Sequence, residues 1–257
     1  MCGLTGLLCP KTDKDIKSYL SKMTSSLVHR GPDDEGIWTE ESIGMGHRRL
    51  SIIDLSSSGK QPMNSNCGRF VLTFNGEIYN HLDLRVELEK QGHSTNWRGY
   101  SDTETLIEAI AHWGLDDALC RTRGMFALAI WDKKQRNLSL ARDRIGEKPL
   151  YWGWAESDLI FGSELKSLRA HPNCQNGICI DALSQYLRYM YVPSPLSIYE
   201  GIFKLEPGTI LTVEDIPLLS PPRKPIRPGE RYGGISIRRY WNLKTQVETA
   251  AKNKIKE

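Results

Sequence analysis

The chain begins with MCGLTGLLC, residues 1–9, an apolar stretch that is predicted to form a short buried strand. If Met1 is removed, as a small second residue permits, Cys2 becomes the amino terminus and carries both a thiol and a free α-amine. Because the reference pKa of an α-amine is about 7.7–8.0, that amine can serve as general base for the thiol of its own residue. The alternative is that Cys2 is simply a small apolar residue that starts a strand.

Length and composition are those of an ordinary globular protein. The 257 residues, 39% hydrophobic and 25% charged, suffice for one large domain or two small ones. No apolar run approaches the roughly 20 residues that span a bilayer, and the start lacks the features of a signal peptide. We therefore expect a cytoplasmic protein that binds no membrane. The six cysteines lack zinc-type spacing and the six histidines are dispersed, which predicts free thiols and no metal site.

The net charge of +3 conceals a difference between the body of the chain and its tail. Residues 220–257 contain ten Lys and Arg against three acidic residues, so residues 1–219 are slightly acidic. A basic tail can contact nucleic acid or an acidic partner. A solvated, weakly structured segment is the simpler interpretation, and we expect no nucleic-acid binding.

Hydrophobic periodicity predicts many strands with helices before and after them, which indicates a layered α+β domain. The predicted helices are 15–28, 81–91, 103–113, 163–168 and 181–189, and the predicted strands are 3–9, 43–53, 69–74, 124–132, 137–143, 150–154, 159–162 and 209–213. The charged segment HRGPDDEG, residues 29–36, contains Gly-Pro and is predicted to interrupt regular structure. It can also hold an arginine and an acid near a site.

Two adjacent arginines, Arg48 and Arg49, lie in the middle of the predicted strand 43–53. Neighbouring residues of a strand point to opposite faces, so one arginine can face water while the other faces inward. An inward arginine needs an anion, and a carboxylate held by two hydrogen bonds is its natural partner. Either a ligand carboxylate or a structural salt bridge within the chain meets this requirement.

The segment NGEIYN, residues 75–80, directly follows the predicted strand 69–74. The side-chain amide of Asn75 and the N–H of Gly76 can form a two-donor oxyanion hole of the kind used in acyl transfer. Glu77 beside them can hold a cationic group. Asn-Gly is also a common hairpin signal, but the helical periodicity of residues 81–91 disfavours a simple hairpin.

The segment SDTE, residues 101–104, opens the predicted helix 103–113. Ser101 or Asp102 suits the position of the N-cap, and the acidic residues support the first turn. Capping alone explains these acids, yet it does not exclude a second role for Asp102 in binding an ammonium group. Both interpretations stay open on the sequence of this segment.

Taken together, these motifs resemble the glutamine amidotransferase type-2 domain of glutamine-hydrolysing asparagine synthetases. The resemblance covers residues 2 to about 243 and keeps the family's order: CGLTG, HRGPDDEG, GHRRLSIIDL, NGEIYN, SDTE, GMFALAIWD, ARDRIGEKPLYW and FGSELKSL. HRGPD combined with NGEIYN is more similar to asparagine synthetase than to relatives that make amino sugars or phosphoribosylamine. The resemblance implies the four-layer αββα sandwich of the N-terminal nucleophile hydrolases.

The resemblance also implies a role for each candidate residue. Cys2 attacks the side-chain amide carbon of L-glutamine while its α-amine moves the proton, and Asn75 with the N–H of Gly76 forms the oxyanion hole. The implied substrate-binding residues are Arg49 for the α-carboxylate, Glu77 and Asp102 for the α-ammonium, and the backbone near Leu50 and Ile53. No cofactor is implied for this domain.

Family members continue into an ATP-using synthetase domain whose Ser-Gly-Gly-x-Asp-Ser loop binds pyrophosphate, and the 257 residues contain no such loop. We predict a glutaminase domain over residues 2–215. Residues 216–257 are predicted to be a Pro/Gly/basic linker and tail that lead toward the absent synthetase domain, and ATP and Mg²⁺ are expected only there. A fragment, a shortened gene product and a separate acceptor chain are all compatible with this pattern; truncation before the second domain is favoured.

The predicted activity is hydrolysis of L-glutamine to glutamate and ammonia through a Cys2 thioester, with the ammonia used to make asparagine from aspartate. The alternatives are a glutaminase module of another pathway, such as polysaccharide or secondary metabolism, and a non-catalytic glutamine-binding module. Tyr240 and Trp241 are expected to dock on the body or, without the synthetase partner, to be exposed. Their exposure would favour self-association into a homo-oligomer.

Overall fold

The computed structural model describes residues 1–9, 15–93, 96–214, 221–222 and 224–252. Thirteen strands lie in this part of the chain: β1 (Gly3–Leu8), β2 (Asp34–Glu40), β3 (Ile43–Arg49), β4 (Met63–Asn64), β5 (Phe70–Ile78), β6 (Gly124–Asp132), β7 (Asn137–Arg142), β8 (Tyr151–Ala155), β9 (Asp158–Gly162), β10 (Ile202–Lys204), β11 (Thr209–Glu214), β12 (Arg231–Tyr232) and β13 (Ile235–Arg239). The α-helices of the same part are α1 (Ile16–Ser25), α2 (His81–Lys90), α3 (Asp102–Trp113), α4 (Leu115–Arg121), α5 (Leu165–Arg169), α6 (Ile180–Tyr189) and α7 (Leu243–Lys252).

The strands form two sheets. The first sheet has six strands in the order β10-β8-β9-β1-β3-β2, and the second has seven in the order β12-β13-β11-β7-β6-β5-β4. Every strand pair is antiparallel. Strand β1, which carries the amino-terminal motif, is therefore central in the first sheet and paired on both edges.

The alternation of side chains along β1 separates two packing interfaces. Leu4 and Leu8 join the apolar cluster between the sheets, whereas Leu7 packs outward with Leu20 of α1. In the second sheet, Val71 of β5 lies between the sheets, while its neighbour Leu72 packs with α2 and α3 on the outer face. Helices thus cover both outer faces, and the predicted α+β fold, a four-layer αββα sandwich, is confirmed.

The same alternation directs the candidate residues toward one another. Cys2 precedes Leu4 by two residues and so shares its face, which looks toward the second sheet. Asn75 and Glu77 share the face of Val71, which looks toward the first sheet. The candidate residues therefore converge at one end of the space between the two sheets.

Three sequence-based boundaries are wrong. The segment 29–36 does not interrupt regular structure throughout, because β2 begins at Asp34 and pairs with β3 along its full length. Strand β3 ends at Arg49, so residues 50–53 leave the sheet and form part of a loop. Strand β5 runs on to Ile78, because β6 pairs with it across residues 70–78. Asn75 and Gly76 consequently lie within a strand and not beyond its end.

Part of the segment predicted as linker belongs to the second sheet. Strand β13 pairs with β11, and Ile235 and Ile237 enter the core between the sheets. Tyr240 is half-buried against the outer cluster of the second sheet, and its hydroxyl donates to the carbonyl of Arg142 at 3.0 Å. The expectation that Tyr240 is left exposed is therefore wrong, and its docking on the body is confirmed. The predicted boundary at residues 215/216 lies outside the described residues.

Two further expectations concern the cysteines and membrane spans. All six cysteines are free thiols, as predicted. In the described ranges, no helix combines the length and apolar character that crossing a membrane requires.

Because β13 contributes buried side chains, we predict that Ile237→Ala destabilises the domain. Ile237 is 5% exposed, and truncation of a buried isoleucine lowers the free energy of unfolding by about 2–5 kcal/mol. Val247→Ala on α7, where the side chain is 59% exposed, is the matched control and should change it by less than about 0.5 kcal/mol. Urea denaturation measures both values. Equal effects of the two substitutions would show that β13 is not part of the folded domain.

Candidate active site

A cleft at one end of the space between the sheets brings together all eight residues proposed from the sequence. Its lining includes Cys2, Arg49, Leu50, Ile53, Asn75, Gly76, Glu77 and Asp102. Met1, Gln61, Thr103 and Lys148 also line the cleft and were not proposed as site residues. The cleft therefore combines a thiol, backbone amide groups of β5, two carboxylates and two basic groups within one concave surface.

The Cys2 thiol lies against the backbone of Leu50. The Leu50 N–H donates to Sγ at 3.3 Å, and Sγ lies 3.6 Å from the Leu50 carbonyl. The backbone of Cys2 is fixed by Arg30, whose Nε donates to the Cys2 carbonyl at 2.9 Å. Glu164 holds that arginine through Nη1, also at 2.9 Å. Arg30 lies in the HRGPDDEG motif, so the prediction that this segment holds an arginine near the site is confirmed.

Burial raises the pKa of the Cys2 thiol, and the carboxylate of Asp102 raises it further. The Leu50 N–H, the chain's amino terminus and Arg49 act in the opposite direction but do not cancel the effect of burial. The thiol is therefore protonated at neutral pH and needs a nearby base before it can act as a nucleophile.

Met1 occupies the mouth of the cleft beside the thiol. Its sulfur lies 3.1 Å from Nζ of Lys148, a lysine that is largely buried. The backbone of Lys148 is held from two sides, since its N–H donates to Asp143 at 3.0 Å and its carbonyl accepts from Arg142 at 2.7 Å. Lys148 belongs to the motif ARDRIGEKPLYW, but periodicity alone does not place it at the site.

One edge of β5 supplies backbone donors to the cleft. The N–H of Phe74 donates to Oε1 of Gln61 at 2.6 Å, and the N–H of Ile78 donates to Oδ2 of Asp102 at 2.9 Å. Gly76 lies midway between them, so strand alternation points its N–H to the same side. Its cross-strand partner is Phe126. The Phe126 N–H donates to the Asp143 carboxylate and the Phe126 carbonyl accepts from the Asp143 N–H, so both point away from β5 and neither bonds Gly76. The Gly76 N–H therefore faces the cleft.

The side-chain amide of Asn75 is a second donor beside the Gly76 N–H. Asn75 is 1% exposed, and among the described residues its Nδ2 has no hydrogen-bond partner. An unsatisfied buried donor costs about 1–3 kcal/mol, so native structures rarely keep one without a purpose. The two donors line the same cleft as the Cys2 thiol and can together hold an oxygen atom.

The opposite wall of the cleft is acidic. Ser101 caps α3 by accepting from the Thr103 N–H at 3.2 Å, so Asp102 is not needed as the N-cap. Burial, helped by the nearby carboxylate of Glu77, raises the pKa of Asp102 to about 6 despite the lowering effect of the Ile78 and Thr103 hydrogen bonds. Glu77 forms no ion pair with any described residue. Together the two carboxyl groups can bind a cation.

Arg49 is the inward arginine of the predicted pair. Its guanidinium donates to the carbonyls of Ser56, at 2.8 Å, and Asp54, and it forms no ion pair with a described residue. Arg48, in contrast, is largely buried and pairs with Glu35, so the expectation that it faces water is wrong. The guanidinium of Arg49 therefore keeps a positive charge available to an anion in the cleft.

Within the described ranges, no group of three or more His, Cys, Asp or Glu side chains is arranged to hold a metal ion. His47 of β3 is buried, and burial lowers its pKa to about 4. Its neutral ring donates from Nε2 to the Phe74 carbonyl at 3.1 Å and so supports β5.

A two-sheet sandwich with a cysteine directly before a central strand, and amide donors in the same cleft, is the arrangement expected of N-terminal-nucleophile proteins. Comparison with known proteins narrows this class. The chain belongs to the glutamine amidotransferase domain family, whose model matches residues 1–218.

Curated relatives agree with this assignment. The chain is 40% identical over 218 residues to asparagine synthetase [glutamine-hydrolyzing] 1 of Bacillus subtilis, a match that covers 83% of this chain and 33% of that protein. It is 34% identical over 253 residues to asparagine synthetase [glutamine-hydrolyzing] 3 of the same organism, covering 97% of this chain and 38% of the relative. The chain thus spans between a third and two fifths of the length of these relatives.

A solved structure supports the fold. Glutamine phosphoribosylpyrophosphate amidotransferase from B. subtilis, complexed with ADP and GMP, matches with a TM-score of 0.65 and 18% identity. The match covers 93% of this chain and 49% of that chain. At 18% identity, this likeness shows that the two chains share the sandwich fold.

Because the Asp102 carboxylate raises the pKa of the Cys2 thiol, we predict that Asp102→Asn makes Cys2 more reactive. Alkylation by iodoacetamide at pH 7.5, followed by peptide mass spectrometry, should be about two- to fivefold faster at Cys2 than in the unmodified sequence. Asp83→Asn, at an exposed position on α2, is the control and should leave the rate unchanged. An unchanged or slower rate in Asp102→Asn would contradict the electrostatic coupling.

Proposed function

We propose that this domain hydrolyses L-glutamine to glutamate and ammonia with Cys2 as the nucleophile. The observation that carries the proposal is the pair of amide donors, Asn75 Nδ2 and the Gly76 N–H, beside the thiol. An oxyanion hole of this kind stabilises the tetrahedral intermediate of acyl transfer, and loss of one donor typically costs about 10²–10³ in rate.

The reaction requires removal of Met1, which frees the α-amine of Cys2. The amine takes the thiol proton, and the sulfur attacks the side-chain amide carbon of glutamine, so that a C–S bond forms and the carbonyl oxygen becomes an oxyanion. The protonated amine then gives its proton to the departing nitrogen, the C–N bond breaks, and ammonia leaves behind a thioester. Water attacks the thioester with the amine again as base, which releases glutamate and restores the thiol.

The charged side chains of the cleft suit the two charged groups on Cα of free glutamine, which lie at the end opposite the side-chain amide. Arg49 binds the α-carboxylate, and Glu77 with Asp102 binds the α-ammonium. Leu50 and Ile53 contribute the wall between these anchors and the thiol. In free glutamine the carboxylate can pair with Arg49 while the ammonium pairs with the two acids. A glutamine within a peptide has neither charge, because both groups are in amide bonds.

We further propose that the ammonia is used by an ATP-dependent synthetase domain or chain to make asparagine from aspartate. The names of the curated relatives support this step, and the additional length of those relatives provides room for such a domain. Free thiols at all six cysteines fit a reducing, cytoplasmic site of action.

The proposal predicts that Cys2→Ala abolishes glutaminase turnover and that Asn75→Ala lowers kcat about 10²–10³-fold with little change in KM. The KM is expected to stay because Asn75 acts on the oxyanion and not on the charged end of the substrate. Cys67→Ala and Asn137→Ala, both away from the cleft, are the controls. Glutamate release measured over a range of glutamine concentrations gives both constants. Unchanged turnover in Cys2→Ala would eliminate the proposed chemistry.

A pH dependence follows from Asp102. Because its pKa is raised to about 6, it is ionised at pH 7 and becomes protonated as the pH falls below 6. The neutral carboxyl no longer attracts the α-ammonium, so KM for glutamine should rise as the pH falls, by up to about tenfold per pH unit. Asp102→Asn should give a high KM that is nearly independent of pH between 5 and 7 (roughly the range over which the carboxyl titrates). A KM that stays constant in the original protein would exclude Asp102 from ammonium binding.

A further inference from the structure

Gln61 is a buried side chain in the cleft that the mechanism above does not use. It is 5% exposed and lies just before β4. Its backbone packs directly against Gly36 of β2. The approach is so close that a Cβ at position 36 would lie 1.8 Å from the Gln61 carbonyl oxygen, so only glycine fits there. The carboxamide therefore extends from a fixed base.

One end of the carboxamide holds β5. Strand β4 has only two residues and pairs with β5 as far as Leu72, so the next outward N–H of β5, that of Phe74, has no strand partner on this edge. Oε1 of Gln61 takes that position at 2.6 Å, and the His47 ring takes the carbonyl of the same residue. Phe74 directly precedes Asn75, so this pair of bonds fixes where the Asn75 amide and the Gly76 N–H lie.

The other end holds the start of α3. Nε2 of Gln61 donates to Oγ1 of Thr103 at 3.3 Å. Thr103 directly follows Asp102 in the chain, and its hydroxyl lowers the pKa of the Asp102 carboxyl by stabilising the ionised form. Because the hydroxyl oxygen accepts from Gln61, its single proton is free to point at Asp102. The result is a chain of donors that runs from Gln61 through Thr103 to Asp102.

We propose that Gln61 is a positioning residue that fixes the Asn75 amide and the Asp102 carboxylate relative to each other, acting through Phe74 and Thr103. It thereby sets the distance between the group that stabilises the oxyanion and the group that binds the ammonium. This role rests on the proposed glutaminase function. It explains why an amide, which offers a donor and an acceptor at once, stands at this position: an apolar side chain of the same size offers neither.

Asp102 has several charged neighbours besides this donor chain. Glu77 of β5 raises its pKa, and Asp102 in turn interacts electrostatically with Cys2 of the first sheet and with Arg85 of α2. None of these groups touches Gln61 through a hydrogen bond. Removing the Gln61 carboxamide thus alters the Thr103 hydrogen bond and leaves the charges in place.

The test compares four variants and a control. Gln61→Met removes both bonds of the carboxamide at similar size, Thr103→Val removes the hydroxyl, Thr103→Ser keeps it, and the fourth variant combines Gln61→Met with Thr103→Val. Gln185→Met on α6 is the matched control. The pKa of Asp102 is measured by carbon NMR of its carboxyl group without glutamine, and kcat and KM are measured with glutamine.

Thr103→Val should raise the titration midpoint of Asp102 by about half to one pH unit, because the hydroxyl that stabilises the ionised form is lost. Gln61→Met should shift the midpoint in the same direction, because that hydroxyl is no longer oriented by the Gln61 amide. The double variant should shift it no further than the larger single shift, since both act through one bond. Only Gln61→Met should also lower kcat, by about 10- to 100-fold, through the displaced Asn75. Thr103→Ser and Gln185→Met should keep the original midpoint and kcat.

An unchanged midpoint in folded Gln61→Met, or additive shifts in the double variant, would overturn the positioning role even if glutamine is hydrolysed normally. Absence of turnover in the original protein would instead refute the proposed function, while the carboxyl titration still decides the role of Gln61. If thermal unfolding shows that Gln61→Met does not fold, the Thr103→Val and Thr103→Ser pair decides: equal midpoints in those two variants would overturn the proposal.

Discussion

The site depends on the pairing of β1 with neighbours on both edges. Gly3 lies opposite Arg48 of β3, and Thr5 lies opposite Gly162 of β9, so the first strand is locked into the middle of its sheet from its first residue. Chain termini are usually mobile, but β1 has a paired strand on each edge, and Arg30 donates to the Cys2 carbonyl. A thiol at such a terminus has a fixed direction, toward the second sheet, and can be aimed at a substrate.

The second constraint is the set of unsatisfied groups that the cleft retains. Among the described residues, the buried amide of Asn75 has no hydrogen-bond partner, the carboxyl groups of Glu77 and Asp102 repel each other, and Arg49 donates to carbonyls only. Each of these arrangements carries a desolvation cost. Such local costs are typical of functional positions, where a ligand completes the interactions. An amide oxygen, an ammonium and a carboxylate on one molecule meet all three requirements, and glutamine carries these groups.

Much of this arrangement was predictable from the sequence, and the reasons are local. Strand alternation predicted that one of Arg48 and Arg49 points inward without deciding which, and the polar run after an apolar strand identified Asn75, Gly76 and Glu77 as candidates. The αββα sandwich and the roles of individual residues came from the resemblance to a family and not from periodicity. The eight candidate residues nevertheless line one cleft, because the facing surfaces of the two sheets, the loop after β3 and the start of α3 meet there.

The rest was not predictable, because it depends on contacts between distant segments. Strand β2 begins inside a polar, glycine-containing loop, and only its pairing with β3 makes it a strand. Strand β13 lies within the basic, proline-rich tail and has few apolar residues, so it has no clear strand pattern of its own. Its pairing with β11 makes it a strand. Periodicity does not single out Gln61 or Lys148, since the groups they contact lie 13 and 147 residues away in the sequence.

The central claim is that the chain, once freed of Met1, has a competent nucleophile at Cys2. The most direct measurement is the intact mass of the purified protein before and after treatment with the glutamine analogue diazo-oxo-norleucine, followed by peptide mapping. We predict a mass that lacks methionine, and a single adduct on Cys2 that excess glutamine prevents. A retained Met1 without an adduct on Cys2 would contradict the catalytic account and leave the cleft as a binding site only.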